Sequence, residues 1–483
     1  MPLIFCQFRW CKDMFGTLFE VYSRSLHSSL KCNTDKTKLR QLFAKVIGKS
    51  PRTLSNAQEA FTFLKDGANV FLQGGAATPS ILLSELYNYV LSKKLKNISV
   101  YHINIDGPFP ITKPEAAGHF RSAALFISDD VREAVRTGRA DYIPIFLSDM
   151  PRLFRSKRVK LDLALMSITP PDAFGFCSLG PSVDITRVAA ECAQHLVGQI
   201  NPNLPVTYGE AHIHISHFNS VIHVDVPCHC LKTRPISQAE EKIGALIAEN
   251  LVDDDSTLQT GIGAIPDSVL SKLTNHKDLG VHTEMFSDGV VKLVECGAVT
   301  NAKKNIRRGK IVTSFVIGSE KLFKFINANP SIDFCDSTWV NVPSIIAQNP
   351  KPVAINSCIE VDITGQIVSD SIGKNFYSGF GGQIDFIRGA SIAEDGLGKP
   401  IIALTSTTNK GASKISPFIK QGAGVVTTRA HVHYVVTEYG IADLFGRNVR
   451  QRAHALIQIA HPNHRESLEK AAFEQLKVMP SPE

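Results

Sequence analysis

The order of apolar and polar positions is the same in two distant stretches of the chain. Residues 71–86 and residues 258–273 each contain a short apolar strand, a glutamine, a glycine turn, a proline and then a helix. In the first of these helices Leu82 and Leu86 are four residues apart, so they lie on one face of the helix. The pattern predicts two strand–turn–helix units, one in each half of the chain.

A second pair of segments repeats in the same order along the chain. Residues 161–180 and residues 352–373 each begin with an apolar strand that leads to an aspartate and a glycine. Two matching elements in matching order predict an α/β protein with two related halves and open, mainly parallel sheets. A linker-like stretch at 226–238 predicts an N-terminal domain at 38–230 and a C-terminal domain at 231–483. Ligands of such sheets bind beyond the carboxyl ends of the strands, so we expect the site in the cleft between the halves.

Composition and charge exclude several classes of protein. The chain has 483 residues, of which 43% are hydrophobic and 20% are charged, with a formal net charge of +7. No stretch approaches about 18 consecutive apolar residues, so we expect no membrane span. One dense basic cluster occurs, and we expect either a solvated face or a contact with cofactor phosphates; it comprises Lys303, Lys304, Arg307, Arg308 and Lys310. Because a nucleic-acid binder would show a more concentrated basic face, we expect no nucleic-acid partner.

The first residues and the cysteines bear on the cellular compartment. Residues 1–31 are rich in Phe and Ser, and they contain slightly more basic than acidic residues. This composition predicts a mitochondrial transit peptide within residues 1–37, outside the folded domains. The alternative is a disordered tail on a cytoplasmic protein. Ten scattered cysteines without C-x-x-C spacing predict reduced thiols inside the cell.

A histidine-rich stretch at 212–230 contains residue types that bind zinc. His212 and His214 alternate along a segment with the pattern of a strand, and the His and Cys residues do not form the closed pairs of a zinc site. We therefore expect no metal site.

Two glycine-containing turns are candidates for contact with an anionic ligand. The first turn follows a strand and opens a helix, where backbone N–H groups bind anions. It consists of Gly261, Ile262, Gly263, Ala264 and Ile265. It lacks the third glycine of a dinucleotide-binding turn, and a tight turn without a ligand is the alternative.

The second glycine turn contains Gly379, Gly381 and Gly382. Three glycines in four residues can present backbone N–H groups to an oxyanion without steric hindrance. A flexible turn without a catalytic role is the alternative.

Glu284 is the candidate nucleophile. It follows Leu279 and Val281, which have the pattern of a short strand, and it lies within the run His-Thr-Glu-Met-Phe-Ser-Asp-Gly at 282–289. A single glutamate at a strand end is usually solvated or caps a helix. A carboxylate beside an anion-binding turn, however, can take an acyl group from a thioester and hold it covalently.

This run and the two glycine turns resemble the acetyl-CoA hydrolase/CoA-transferase family, which includes 4-hydroxybutyrate and acetate CoA-transferases. The resemblance covers roughly residues 38–475; it is strongest over 258–300 and 350–470 and weakest over 207–232. It implies two NagB-like domains with the active site at their interface. It also implies coenzyme A as a co-substrate, without a tightly bound cofactor or a metal.

The resemblance also implies roles for individual residues. Glu284 would form a glutamyl-CoA thioester, Gly381 would help to bind the oxyanion, and Asn341 and Glu438 would lie beside the catalytic carboxylate. Residues 261–265 together with Gly379 and Gly382 would contact CoA. Val342 departs from the Asn or Asp that the family often has after the asparagine. Lys414, in the run Lys-Ile-Ser-Pro, is a candidate for a contact with a CoA phosphate.

The predicted function is CoA transfer between acetyl-CoA and a short carboxylic acid of the succinate or 4-hydroxybutyrate type. The expected partners are acyl-CoA and short acids. The sequence does not decide whether the protein forms a homodimer. One alternative is an acetyl-CoA hydrolase that uses the same glutamate. It needs a base for water, and the candidate is His282, which has packing as an equal alternative. The second alternative is a non-catalytic effector-binding protein, which the combination of Glu284 with two glycine turns disfavours.

Overall fold

Two large sheets, one in each half of the chain, organise the fold. The computed structural model describes residues 43–231 and 235–483, so the predicted transit peptide within 1–37 lies outside the described residues. The segment Phe43–Glu483 forms one compact unit. Residues 226–231, within the predicted linker, form neither helix nor strand. The predicted domain limits at 38–230 and 231–483 stay predictions.

The first sheet has eight parallel strands. The strands of the first half are Arg52–Thr53 (β1), Asn69–Leu72 (β2), Ile98–His102 (β3), Phe120–Ala124 (β4), Ala140–Tyr142 (β5), Leu163–Ile168 (β6), Phe176–Ser178 (β7), His195–Ile200 (β8), Tyr208–Gly209 (β9), His212–His214 (β10) and Ser220–His223 (β11). The sheet order is β1-β11-β8-β6-β2-β3-β4-β5, and every neighbouring pair runs parallel. All six residues of β6 are buried, as expected for a central strand of a parallel sheet that is covered on both faces.

The second sheet has six strands. The strands of the second half are Thr257–Thr260 (β12), Gly280–Val281 (β13), Met285–Phe286 (β14), Ile311–Thr313 (β15), Phe315–Val316 (β16), Ile332–Phe334 (β17), Pro352–Ser357 (β18), Glu360–Asp362 (β19), Ile367–Val368 (β20), Ser371–Ile372 (β21), Asn375–Phe376 (β22), Lys399–Ala403 (β23), Ile415–Ser416 (β24), Tyr434–Thr437 (β25) and Gly440–Asp443 (β26). The sheet order is β13-β12-β18-β23-β25-β26, and only the last pair, β25 with β26, is antiparallel. The prediction of an α/β fold with mainly parallel sheets is confirmed.

Helices connect and cover these strands. They are Ser80–Lys93 (α1), Asp129–Arg136 (α2), Met150–Arg155 (α3), Thr186–Cys192 (α4), Gln238–Asn250 (α5), Ala264–Lys272 (α6), Asp288–Glu295 (α7), Glu320–Ile326 (α8), Ser337–Val340 (α9), Pro343–Ile346 (α10), Gln383–Ser391 (α11), Val449–Gln458 (α12) and Pro462–Leu476 (α13). Short 3-10 helices cover Ala57–Phe61, Pro110–Thr112, Pro114–Ala116, Ile215–His217 and Leu273–Asn275. Within 43–231 and 235–483, none of the helices is long and apolar enough to cross a bilayer.

The two halves share a hydrophobic core and a small sheet. The core contains buried side chains from both halves, among them Leu147 and Val183 of the first and Phe286 and Val316 of the second. Strand β9 of the first half pairs with β17 of the second in a sheet of order β15-β17-β9. An isolated bridge joins Ser182 to a residue of β16. The backbone just after Glu284 is therefore tied to the first half.

The basic cluster differs from its prediction as a solvated or phosphate-binding face. The Lys304 side chain is fully buried, and its Nζ donates to the carbonyl oxygens of Val281 at 2.8 Å and Lys310 at 2.6 Å. Lys310 and Arg307 lie 2.8 and 3.5 Å from the carboxylate of Asp333. For Lys304 the prediction of a solvated face and the prediction of a phosphate contact are both wrong, because the chain after β13 folds back over this side chain. The spacing of the residues does not reveal this.

The histidine-rich stretch forms strand and turn, as its pattern predicts. His212 and His214 are the two ends of β10. His214 Nδ1 lies 2.8 Å from the Ser216 hydroxyl, and His217 Nε2 lies 2.8 Å from the carbonyl oxygen of Lys45. In the part of the chain that the structure describes, no group of three or more His, Cys, Asp or Glu side chains could hold a metal ion.

Candidate active site

The carboxyl ends of neighbouring parallel strands bring several predicted residues to one edge of the second sheet. Strand β12 leads into the turn at 261–263 and then into α6, and β13 leads through His282 to Glu284. Strand β25, two positions beyond β18, ends immediately before Glu438. In open α/β sheets this edge is where ligands bind.

The backbone of Glu284 is held on one side by strand-like hydrogen bonds. Its carbonyl oxygen accepts from the backbone N–H groups of Ser314 at 2.8 Å and Phe315 at 3.2 Å. The Thr313 hydroxyl donates to the same oxygen at 3.2 Å. The position from which the side chain projects is therefore fixed, although Glu284 itself belongs to neither β13 nor β14.

Two donors hold the Glu284 carboxylate. Asn341 Nδ2 donates to Glu284 Oε2 at 2.9 Å, and the backbone N–H of Gly382 donates to the same carboxylate. A Cβ at Gly382 would overlap both Glu284 Oε2 and Asn341 Nδ2. Gly382 must therefore be glycine for the carboxylate to approach the backbone so closely.

The Glu284 carboxyl is more basic than an ordinary glutamate. Burial raises its pKa to about 7, and the negative charges of Asp385 and Asp184 act in the same direction. The hydrogen bonds from Asn341 and Gly382 lower the pKa, but they do not offset the burial. A partly exposed carboxylate with a raised pKa at a ligand-binding edge is typical of a catalytic group.

The second glycine turn packs against the first half of the chain. Gly381 has φ +54°, and a Cβ there would lie 3.5 Å from Phe126 Cε2; a Cβ at Gly379 would lie 2.9 Å from Phe126 Cδ2. The Gly381 carbonyl oxygen accepts from the Leu147 N–H at 3.0 Å. The turn is thus held between Phe126 and Glu284, and the predicted part of Gly381 in oxyanion binding stays a prediction.

The first glycine turn caps α6. Gly263 has φ +117° and precedes the first residue of the helix. The Gly261 N–H donates to the carbonyl oxygen of Ile355 at 3.2 Å, and the Ile262 side chain is 47% exposed. Because the side chains of Ala264 and Ile265 are buried, a ligand could meet those two residues only through their backbone. Their contact with CoA stays a prediction.

Glu438 and Lys414 belong to a neighbouring polar cluster. Glu438 accepts from the Ser406 N–H at 2.9 Å and from the Ser406 hydroxyl at 2.6 Å. Lys414 Nζ donates to the Thr405 hydroxyl at 2.7 Å. Burial lowers the pKa of Lys414, while Cys358 and Glu438 raise it. The structure thus brings Asn341 and Gly382 directly onto Glu284 and groups Glu438 with Lys414 separately.

His282 is a packing residue in this structure. Its ring is 2% exposed, Nε2 lies 2.9 Å from the Val340 carbonyl oxygen, and Nδ1 lies 3.3 Å from Asn349 Nδ2. Burial lowers the pKa of His282 to about 3. With both ring nitrogens engaged, it is not placed to activate water beside Glu284.

Two residues that the sequence did not single out complete the cluster. Asp385 Oδ2 accepts from Asn341 Nδ2 at 3.3 Å and from the Ser148 N–H at 3.2 Å, and Oδ1 accepts from the Ser148 hydroxyl at 2.8 Å. Burial raises the pKa of Asp385 to about 6. Asp385 lies three residues after Gly382, in the first turn of α11. Acidic residues are common in the first turn of a helix, so its position does not indicate a role in the site. Nothing in the sequence marks Ser148.

Comparison with known proteins identifies the family of the chain. Residues 48–248 match the model of the acetyl-CoA hydrolase/transferase N-terminal domain, and residues 318–472 match that of the C-terminal domain. The chain is 63% identical to a succinyl-CoA:acetate/propanoyl-CoA:succinate CoA transferase of Fasciola hepatica, over 95% of this chain and 96% of the relative. It is 43% identical to a 4-hydroxybutyrate coenzyme A transferase of Clostridium kluyveri, over 86% and 96%.

A solved structure supports the same assignment. RipA from Yersinia pestis superposes with a TM-score of 0.84 at 31% identity, and the match covers 88% of this chain and 98% of RipA. Because the relatives at 63% and 43% identity over most of the chain are CoA transferases, the protein is an enzyme of the CoA-transferase class. The chain belongs to the acetyl-CoA hydrolase/transferase family. The predictions of the family and of a CoA-transferase are confirmed.

Proposed function

We propose that this protein exchanges CoA between succinate and short monocarboxylic acids such as acetate and propionate, through a thioester on Glu284. The observation that carries the proposal is the Glu284 carboxylate, held at the sheet edge by Asn341 and the Gly382 N–H. The choice of acids rests on the activity for which the Fasciola hepatica relative is named. An acid of the 4-hydroxybutyrate type, as in the Clostridium kluyveri relative, is the second candidate.

The reaction is an exchange that needs no net proton transfer. The Glu284 carboxylate attacks the acyl carbon of acyl-CoA, a C–O bond forms, the C–S bond breaks, and CoA leaves as thiolate. The thiolate attacks the glutamyl carbonyl of the resulting anhydride and releases the first acid as its carboxylate. A second carboxylate then takes the CoA by the same steps in reverse. One negative charge enters and one leaves at each stage.

The donors that hold Glu284 also serve the intermediates. When thiolate attacks the glutamyl carbonyl, negative charge develops on an oxygen of the Glu284 carboxyl group, which Asn341 Nδ2 and the Gly382 N–H already contact. Donors fixed where charge develops stabilise the tetrahedral intermediate without reorganisation. The same two groups therefore position the nucleophile and stabilise the oxyanion formed on it.

We also propose that acyl-CoA enters between the two halves. Phe126, Leu147 and Ser148 of the first half contact the glycine turn or Asp385 beside Glu284. A site that both halves line can bind the acid with one half and carry out the chemistry with the other.

Transfer is favoured over hydrolysis by the surroundings of Glu284. Hydrolysis needs a base that activates water beside the thioester. His282 is buried with both ring nitrogens engaged, and Asp385 is 5% exposed and accepts from Ser148 and Asn341. In this arrangement the thioester persists until a second carboxylate reacts with it.

The acceptor dependence of the reaction tests this proposal. Acetyl-CoA consumption is measured with and without succinate, propionate, butyrate and 4-hydroxybutyrate, and CoA released to water is measured in parallel. We expect a carboxylate to raise consumption well above the rate with water alone, with ping-pong kinetics. Steady release of free CoA at a rate that no acid changes would establish the hydrolase instead.

We propose mitochondrial import on the composition of residues 1–31 alone. Residues 1–40 fused to a fluorescent reporter should direct it to mitochondria, and replacing Arg9, Lys12 and Arg24 with glutamate should abolish this. A diffuse reporter from the unaltered segment would support the cytoplasmic alternative.

A further inference from the structure

We infer that Asp385 is a positioning residue for CoA transfer, which acts on Glu284 through the side chain of Asn341. The inference rests on the proposed function and adds a residue to it. Asn341 Nδ2 bridges the two carboxylates, so the hydrogen-bonded link from Asp385 to Glu284 runs through the asparagine.

The geometry fixes which end of the Asn341 amide faces Glu284. The single atom Nδ2 donates to Glu284 Oε2 at 2.9 Å and to Asp385 Oδ2 at 3.3 Å. Only the amine end of an amide can donate, and an ionised carboxylate can only accept. Two carboxylates on the same side therefore lock the amide with its nitrogen toward the nucleophile.

Asp385 is itself fixed from the first half of the chain. The Ser148 N–H and hydroxyl donate to its two oxygens at 3.2 and 2.8 Å. The neighbouring Leu147 N–H holds the Gly381 carbonyl oxygen. If the segment with Leu147 and Ser148 moved relative to α11, the positions of Asn341 and Gly382 would change as well. These are the two groups that hold Glu284.

Little else holds the Asn341 amide in this orientation. Its Oδ1 is buried and has no hydrogen-bond partner among the described residues. If residue 385 were an amide, it could donate to that oxygen, and Asn341 could then turn by half a rotation. An acceptor oxygen would face Glu284 Oε2, and both the carboxylate position and the oxyanion donor would be lost.

A double-mutant cycle on turnover tests the inference, with Asp385→Asn, Asn341→Ala and the double variant. We expect Asp385→Asn to lower kcat about 100-fold, because small misplacements of reacting groups have effects of this size. The KM for acetyl-CoA should stay within about threefold. If Asp385 acts through Asn341, the double variant is no slower than the slower single variant, because the second change removes nothing further. Independent, multiplying losses in the double variant would overturn the inference.

Matched variants keep the result interpretable. Asp162 also accepts a backbone N–H and a side-chain amide, but it precedes β6 at the opposite end of a strand. Asp162→Asn should leave kcat near wild type and combine multiplicatively with Asn341→Ala.

If Asp385→Asn does not fold, Ser148→Ala takes its place. We expect Ser148→Ala to lower kcat about tenfold, because one hydrogen bond to Asp385 is missing. That loss should be absent in the Asn341→Ala background and reversed by Ser148→Thr.

The outcome separates this inference from the proposed function. Wild-type protein that forms no thioester on Glu284 would contradict the proposed function itself. A wild-type thioester together with independent losses at Asp385 and Asn341 would overturn only the positioning role.

Discussion

At the scale of single residues, the raised pKa of Glu284 links activity to stability. The ordinary glutamate value is 4.5, and burial raises the folded-state pKa to about 7. The contribution of this carboxyl to folding is therefore fully present below about pH 4.5 and is lost as the pH rises through 7. At pH 8 we expect the free energy of unfolding of Glu284→Gln to exceed that of wild type by on the order of 2 kcal/mol. The variant should therefore unfold at a higher urea concentration.

The same difference should vanish about one pH unit below the ordinary value of 4.5, where the wild-type carboxyl is protonated in both the folded and the unfolded state. Glu474→Gln, on the exposed face of α13, is the control and should match wild type at both pH values. A Glu284→Gln variant that is less stable than wild type at pH 8 would contradict the conclusion that the buried charge of Glu284 destabilises the folded state.

The pH dependence of the rate follows from the same group. In the proposed mechanism only the carboxylate form of Glu284 attacks, and burial raises the pKa of this group to about 7. We expect kcat/KM for acetyl-CoA to rise with pH through about 7 and then to level off. The measurement covers pH 5.5 to 8.5 in steps of about half a unit. A rate that falls over this range would show that the protonated form, or a different acid, is the active one.

Gly382 is the glycine whose replacement should affect turnover most. A Cβ there would overlap Glu284 and Asn341, whereas a Cβ at Gly381 would make ordinary contact with Phe126. We expect Gly382→Ala to lower kcat about 100-fold or more. Gly396 has φ +69° with open space around it, so Gly396→Ala carries backbone strain without a clash and should keep kcat. Equal turnover of the two variants would contradict the account of Gly382.

At the scale of secondary-structure elements, the short strand before Glu284 depends on a buried lysine. Lys304 Nζ donates to the carbonyl oxygen of Val281, the last residue of β13. Lys304→Met leaves that oxygen and the one of Lys310 without this donor, and a buried acceptor without a partner costs about 1–3 kcal/mol. We expect a lower melting temperature and a lower kcat. Lys303→Met, at an exposed neighbour, should change neither.

The elements that the sequence predicted are those with a contiguous pattern. The strand–turn–helix units appear as β2 with α1 and as β12 with α6, and the apolar strands of the second pair appear as β6 and β18. Asp385 and Ser148 could not be predicted this way. The contact of Asn341 with Asp385 joins residues 44 apart, and that of Ser148 with Asp385 joins residues 237 apart. Local pattern holds no information on such pairs.

At the scale of the whole molecule, the cluster of side chains around Glu284 draws on both halves of the chain. Glu284 and its two donors come from the second half, while Ser148 and Phe126 come from the first. The two-half architecture could be predicted from the repeated pattern. How the halves meet could not, because it depends on a shared core and on β9 joining β17. The same contacts explain why Phe43–Glu483 is one compact unit.

The central claim is that Glu284 carries CoA covalently. The direct test is intact mass spectrometry of the protein after brief incubation with acetyl-CoA and no acceptor, followed by borohydride reduction and peptide mapping. We predict a mass increase of CoA less one water, which succinate removes, and a reduced glutamyl product at residue 284. Glu284→Gln should give no adduct. A wild-type protein that consumes acetyl-CoA without this adduct, or with CoA attached at a different residue, would contradict the account.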